Sequence, residues 1–192
     1  MKLILITSPT YFVEEDKIIT ALFEEGLDIL HLCKTDTAPI YAERLLTLIP
    51  EQFHKRIVVH ENFYLKDEYK LKGIHLNNRN PNVPHHYKGH VSCSCHTLEE
   101  LKEQKRNCDY VFLNNQTDYT PEEIRKAHKA GLIDKKVIAM GGIDMNNIRQ
   151  IKESGFGGVA IMEDLWNKFD TCLDRDFDQV IEHFKKLKKL AD

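Results

Sequence analysis

The chain predicts a single compact (β/α)8 TIM barrel of the α/β class, with residues 1–192 forming one domain. Three observations carry this. Short apolar strands alternate with helix-like segments along the whole sequence, the pattern of a parallel sheet. Eight such strands can be counted, and closing them into a ring removes the edges that an open sheet must protect. The last two strands each carry a glycine pair, Gly141–Gly142 after the seventh and Gly157–Gly158 before the eighth. Side-chain-free backbone beside unpaired N–H groups suits a phosphate group, and the end of such a barrel is where one is expected.

The first strand is KLILI (2–6), followed by a helix whose inner stripe is Ile18, Ile19, Leu22 and Phe23. DILHL (28–32) is the second strand, and its helix packs Leu45, Leu46 and Ile49. RIVVH (56–60) is the third, with a short helix around 63–69. GIHL (73–76) is the fourth; the segment after it, NNRNPNVPHHYKG, has two prolines and no apolar stripe, so it is a loop or a single turn. HVSCS (90–94) is the fifth strand, and Thr97 with Glu100 reads as a capping box. DYVFL (109–113) is the sixth, after which Thr120, Pro121 and Glu123 form a strong helix start. KVIAM (136–140) is the seventh, with Asp144 as N-cap of the next helix. GGVAI (157–161) is the eighth, and the last helix buries Phe177, Val180, Ile181, Phe184 and Leu187. Trp166 packs at the start of that last crossover.

Composition narrows the function classes. A net charge of −3 leaves no global field for nucleic acid or an anionic membrane. The apolar run at the N-terminus is broken by Thr7 and Pro9, too short for a signal peptide or a membrane span, so the expected location is cytoplasmic. Five cysteines in an uneven set, within a chain long enough to build a core, argue against a disulfide framework. In a barrel, chemistry gathers where strands end. Those ends carry His31, Cys33 and Lys34, then His60 and Glu61, then His75, Asn77, Asn78 and Asn80. Cys93, Ser94, Cys95 and His96 follow the fifth strand, and Asn114 and Asn115 the sixth. His54, His85, His86 and His128 fall in loops or on outer helix faces and read as solvated.

The succession HLCK, VVHENFYL, LKGIHLNNRNP, SCSCHTLEEL, CDYVFLNN, VIAMGGI and GFGGVAIM resembles the thiamine-phosphate synthase family and its sister branch, the thiazole tautomerases. The resemblance implies joining of a pyrimidine, carried as a diphosphate ester, to a thiazole phosphate with release of diphosphate. The partners are therefore small phosphorylated thiamine precursors, the cofactor is Mg2+, and a homodimer is a family-level expectation. Departure of diphosphate leaves a pyrimidine carbocation, so the site must grip phosphate oxygens and screen the cation from water. By position, Lys34 would contact the diphosphate, and His31 would stand at a ligand-binding glutamine. Glu61 would be a metal-binding carboxylate with His60 beside it, and Asn80 would stand at a second metal-binding aspartate. Ser94 would contact the diphosphate or the developing cation, with His96 among the substrate-binding residues. The backbone of Gly141 and Gly142, and that around Gly158, Ala160 and Ile161, would hold the thiazole phosphate.

The departures from the family pattern are specific. Cys33 stands where the family has an arginine, and a thiol cannot supply a guanidinium's charge and fork of donors. Asn80 replaces a carboxylate. The loop after the sixth strand, LNNQTDYTPEE, is short and has no lysine before Lys126. Glu163 and Asp164 place carboxylates beside the expected phosphate pocket. These predict weak or absent synthase activity unless another base, such as Arg79 or Lys88, replaces the lost contacts. The tautomerase branch expects a catalytic histidine where Asn114 and Asn115 stand. Two other readings are a non-catalytic relative that binds a thiamine precursor, and a transition-metal site built from His31, Cys33, His60, His75, Cys93, Cys95 and His96.

Overall fold

In the computed structural model, which describes residues 1–35, 37–114, 118–169 and 177–192, eight parallel strands close into a barrel in chain order. They are β1 (Lys2–Ile6), β2 (Ile29–Leu32), β3 (Ile57–Val59), β4 (Gly73–Leu76), β5 (His90–Cys95), β6 (Tyr110–Leu113), β7 (Val137–Met140) and β8 (Gly158–Ile161). The helices between and after them are α1 (Glu15–Glu24), α2 (Pro39–Leu48), α3 (Leu65–Glu68), α4 (Leu98–Gln104), α5 (Pro121–Lys129), α6 (Ile148–Glu153), α7 (Glu163–Trp166) and α8 (Asp178–Ala191). As the prolines predict, the β4–β5 crossover has no helix.

Closure follows from the period of two along each strand. One face packs outward against the helices, giving a continuous layer that includes Leu3, Leu5, Ile18, Leu22, Leu45, Val111, Val159 and Phe184. The other face fills the barrel interior with Ile4, Ile6, Ile29, Val58, Tyr110, Phe112, Ile138 and Ala160. The register keeps inward residues opposite inward residues: Ile6 beside His31, His75 beside Ser92, Ser94 beside Phe112, and Met140 beside Ala160.

Local signals act as read at Thr120, where the hydroxyl accepts from Glu123 N–H while the Glu123 carboxylate accepts from Thr120 N–H. At Thr97 only half the box forms: its hydroxyl accepts from Glu100 N–H, but the Glu100 carboxylate takes the N–H of His96. Asp144 is not the N-cap of α6, a place held by Asn147. Its carboxylate instead accepts from the N–H groups of Asn146 and Asn147 and closes the preceding turn. His54 is also corrected. It is buried, in a 3-10 turn (Glu51–Arg56), with its ring against the carbonyls of Leu46, Ile49 and Tyr69. Two of those are carbonyls at the end of α2, which lack intrahelical partners. His85, His86 and His128 are exposed, as expected. Trp166 donates its indole N–H to the Ile6 carbonyl and meets Phe12 edge to face, tying the last crossover to β1.

Candidate active site at the carboxyl rim

Between the ends of β7 and β8 lies an open cavity of ≈ 370 Å³, lined in part by Gly141, Gly142, Asp144, Ala160, Ile161 and Glu163. Gly141 and Gly142 have φ of 92° and 61°, a left-handed conformation that favours glycine and turns the chain sharply off the strand. Asn147 fixes the turn by donating its amide to the Gly142 carbonyl at 2.6 Å. The expected glycine site is therefore built at β7. Gly158 does not belong to it. It opens β8 at the opposite end of the barrel, paired with Lys2 and Ile138, and a Cβ there would stand 2.7 Å from the Lys2 carbonyl. Gly157 is likewise closed in by the Lys135 backbone. This second glycine pair lets strands approach; it cannot touch a group at the rim. Ala160 and Ile161 do border the cavity.

The carboxylates at this cavity are partly engaged. Asp164 meets His183 at 2.6 Å, and Asp144 is committed to its turn. Glu163 is exposed.

Across the mouth, the ends of β2, β3 and β4 carry Cys33, Glu61, Arg79 and Asn80. Asn77 builds their loop: its side-chain oxygen accepts from the N–H groups of Arg79 and Asn80, which lifts Arg79 over the rim. The Arg79 guanidinium bonds Glu61 Oε1 at 2.6 Å and lies within hydrogen-bonding reach of the Cys33 thiol. Burial, with the Glu61 charge beside it, pushes that thiol up to about 11, so Cys33 remains protonated. Glu61 Oε2 is buried and has no hydrogen-bond partner among the described residues. Asn80 donates its amide to the His60 carbonyl, so its oxygen is the atom it can offer.

Lys34 stands apart from this group. Its ammonium is buried and bonds both Glu15 oxygens at 2.6 and 2.7 Å and the carbonyls of Ser8 and Thr10 at 2.8 and 2.9 Å. The expected diphosphate contact is here a tie between β2 and the loop leading into α1. Burial raises the Glu15 carboxyl to about 7 against the pull of Lys34.

Beneath the rim, His31, His60 and His75 lie inside the barrel, with ring nitrogens within 4.8 Å of one another. His31 Nδ1 meets His60 Nε2 at 2.8 Å, and His31 Nε2 meets the Tyr110 hydroxyl at 2.7 Å. The two nitrogens of His75 bond Ser92 and Ser94, each at 2.9 Å. Burial holds all three rings below their ordinary range, His60 to about 3, so they are neutral near pH 7. The expected substrate contacts of His31 and His60 are replaced by this internal network.

The network is a poor cage for a transition metal. A proton must occupy the His31–His60 contact, and the His60 and His75 rings stack at 4.2 Å and 20°, so their lone pairs run side by side instead of converging. The mixed histidine and cysteine set is not assembled either. Cys93 and Cys95 face the outer core layer, and His96 is exposed. Cys33, Cys93, Cys95 and Cys108 are free thiols, while Cys172 and Asn115 lie outside the described residues. Ser94 and His96 border a separate crevice beside α4. The Asn114 side-chain oxygen at the end of β6 is buried with no partner among the described residues, a polar group the sequence could only rank as one of many strand-end amides.

A closed (β/α)8 barrel with its polar side chains gathered at the carboxyl rim is the class that fold and site define. Residues 3–165 match the family profile described as thiamine monophosphate synthase, and the chain belongs to that family. A thiamine-phosphate synthase of Actinobacillus succinogenes is 27% identical over 128 residues, a match that spans 58% of this chain and 58% of that relative. The crystal structure of a thiamine phosphate pyrophosphorylase from Bacteroides thetaiotaomicron is 65% identical, with a TM-score of 0.98 over 100% of this chain and 98% of that one. A Pyrococcus furiosus protein of the same description shares the fold at 21% identity, with a TM-score of 0.74 over 99% and 95% of the two chains.

Proposed function

We propose that the protein is a thiamine-phosphate synthase, a transferase that joins hydroxymethylpyrimidine diphosphate to thiazole phosphate and releases diphosphate. The observation that carries this reading is the division of the rim into two unlike regions on either side of the β1 end. One is the glycine-turned cavity between β7 and β8, suited to a phosphate monoester held by main-chain amides. The other is the Glu61, Asn80 and Arg79 group, which brings carboxylate, amide oxygen and guanidinium together, as a metal–diphosphate needs.

The unpartnered Glu61 oxygen and the Asn80 amide oxygen are hard donors that fit Mg2+, and these are the residues that would hold it. When bound, Mg2+ neutralises charge on the diphosphate and makes it a better leaving group. The protein's own part is positioning and exclusion of water. Ile6, Phe112, Met140 and Ala160 supply apolar walls at the mouth and floor of the barrel, which favour capture of a carbocation by the thiazole over capture by water. Ser94, oriented by His75, offers a hydroxyl near the strand-five end. The neutral histidines add no positive charge beneath the developing cation.

Incubation with both precursors and Mg2+ tests the reading: thiamine phosphate and diphosphate should appear in equal amounts. No product, with thiazole phosphate still bound in calorimetry, would give the chain a binding role instead. That second reading is favoured by Cys33 in place of a fixed guanidinium, and by an asparagine at the position of the tautomerase histidine.

A further inference from the structure

At the ends of β2, β3 and β4 two permanent cations are described, and only one of them is available to a ligand. Lys34 is enclosed, its ammonium satisfied by two carboxylate oxygens and two carbonyls. Arg79 is open, with 58% of its side chain exposed, and a single side-chain carboxylate oxygen holds it over the mouth. The other four of the guanidinium's five N–H donors can therefore turn to phosphoryl oxygens without breaking any buried contact. Its resting partner is informative too. Glu61 is 19% exposed, and its second oxygen is buried with no partner among the described residues, so Arg79 now neutralises a carboxylate that keeps one oxygen uncommitted.

We propose that Arg79 is the diphosphate-binding cation of this protein, and that its ion pair with Glu61 is a resting position exchanged for phosphoryl oxygens when a divalent cation–diphosphate enters. The guanidinium absent from strand two is thus supplied by the β4 loop, in reach of the Cys33 side chain. Displacing Arg79 from Glu61 also releases the carboxylate to the incoming metal, so one exchange serves both halves of the ligand. No covalent step is involved. The inference rests on the synthase reading only for the identity of the anion as a diphosphate.

The probe is inorganic pyrophosphate, titrated calorimetrically with Mg2+ present into the wild-type chain, Arg79→Gln, and Cys33→Arg combined with Arg79→Gln. Arg79→Gln should weaken binding at least about tenfold, the loss of one charge-assisted hydrogen bond. The double variant, which carries a guanidinium on the neighbouring strand end, should recover most of that loss. Unchanged affinity in Arg79→Gln, or a wild-type chain that does not bind pyrophosphate, overturns the proposal. Turnover assays on the same samples separate it from the synthase reading. Product formation with pyrophosphate affinity indifferent to Arg79 removes the inference alone; Arg79-dependent pyrophosphate binding without thiamine phosphate removes the reading alone.

Discussion

Lys34 and Glu15 are 3% and 0% exposed as side chains, so each depends on the other to be tolerable inside the protein. Lys34→Met should therefore cost about 3–5 kcal/mol in urea denaturation, because it leaves the Glu15 carboxyl buried without its cation, whereas changing both to apolar residues of similar size should cost far less. Equal costs for the single and double changes would show that the pair is not the source of the stability. The sequence carried a cue to this pairing. Glu15 lies on the same helical stripe as Ile18, Ile19 and Leu22, and a carboxylate there requires a cation. Which cation was not legible, since Lys34 lies on a different element and the contact exists only after β1 and β2 pair. The same holds for His54. Its proximity to the end of α2 is visible in the sequence, but its burial is set by the turn that folds it back on the helix's carbonyls. Arg79 could be named as a replacement base from composition; its placement beside Cys33 depends on the Asx turn of Asn77 and on barrel closure.

The β7–α6 turn and the start of β8 both contain paired glycines, and they do different work. Gly142→Ala places a side chain at φ 61°, costing about 1 kcal/mol, and it intrudes on the cavity. Its main effect should be on thiazole phosphate affinity in calorimetry. Gly158→Ala puts a Cβ 2.7 Å from the Lys2 carbonyl at the β1–β8 seam. This should destabilise the fold by about 1–3 kcal/mol in urea melts while leaving ligand affinity near that of wild type. The reverse pattern would move the anion site to β8. Strand alternation, the capping box at Thr120 and the helix-free β4–β5 crossover were legible because each is encoded within a few neighbouring residues. The end of the barrel to which a glycine belongs follows from strand direction. Gly158 precedes the residues of β8 that face the rim, and grouping it with Ala160 and Ile161 by proximity in sequence hid that difference.

Across the whole molecule, three neutral imidazoles inside the barrel make stability depend on pH. Each is depressed below 6.5 in the folded state, so below that value the unfolded chain binds more protons and stability is lost as pH falls from 6.5 towards about 3, the folded value of His60. Between pH 6.5 and 5 the His60 ring alone should remove about 1.7 kcal/mol, and His31 and His75 act in the same direction. Glu15 acts with the opposite sign: raised to about 7, it contributes stability that is complete below 4.5 and lost as pH rises through 7. The three rings outweigh it on the acid side, so the urea midpoint should drop markedly from pH 7 to pH 5. A flat midpoint would place those rings in water. The fold class was the most legible property because closure needs only the count and polarity of strands. The histidine network was the least legible, since these rings come from neighbouring strands and read along the chain as separate rim residues.

The central claim, that main-chain amides at the β7 turn grip a phosphate ester, can be tested by following the nine glycine amides of the chain. A sample labelled with 15N at glycine alone, titrated with thiazole phosphate and assigned with the help of Gly142→Ala, should show saturable shifts concentrated at Gly141 and Gly142. Gly73, Gly131 and Gly158 should stay in place. Saturable binding that leaves Gly141 and Gly142 unmoved, or that moves Gly158 instead, would contradict the account.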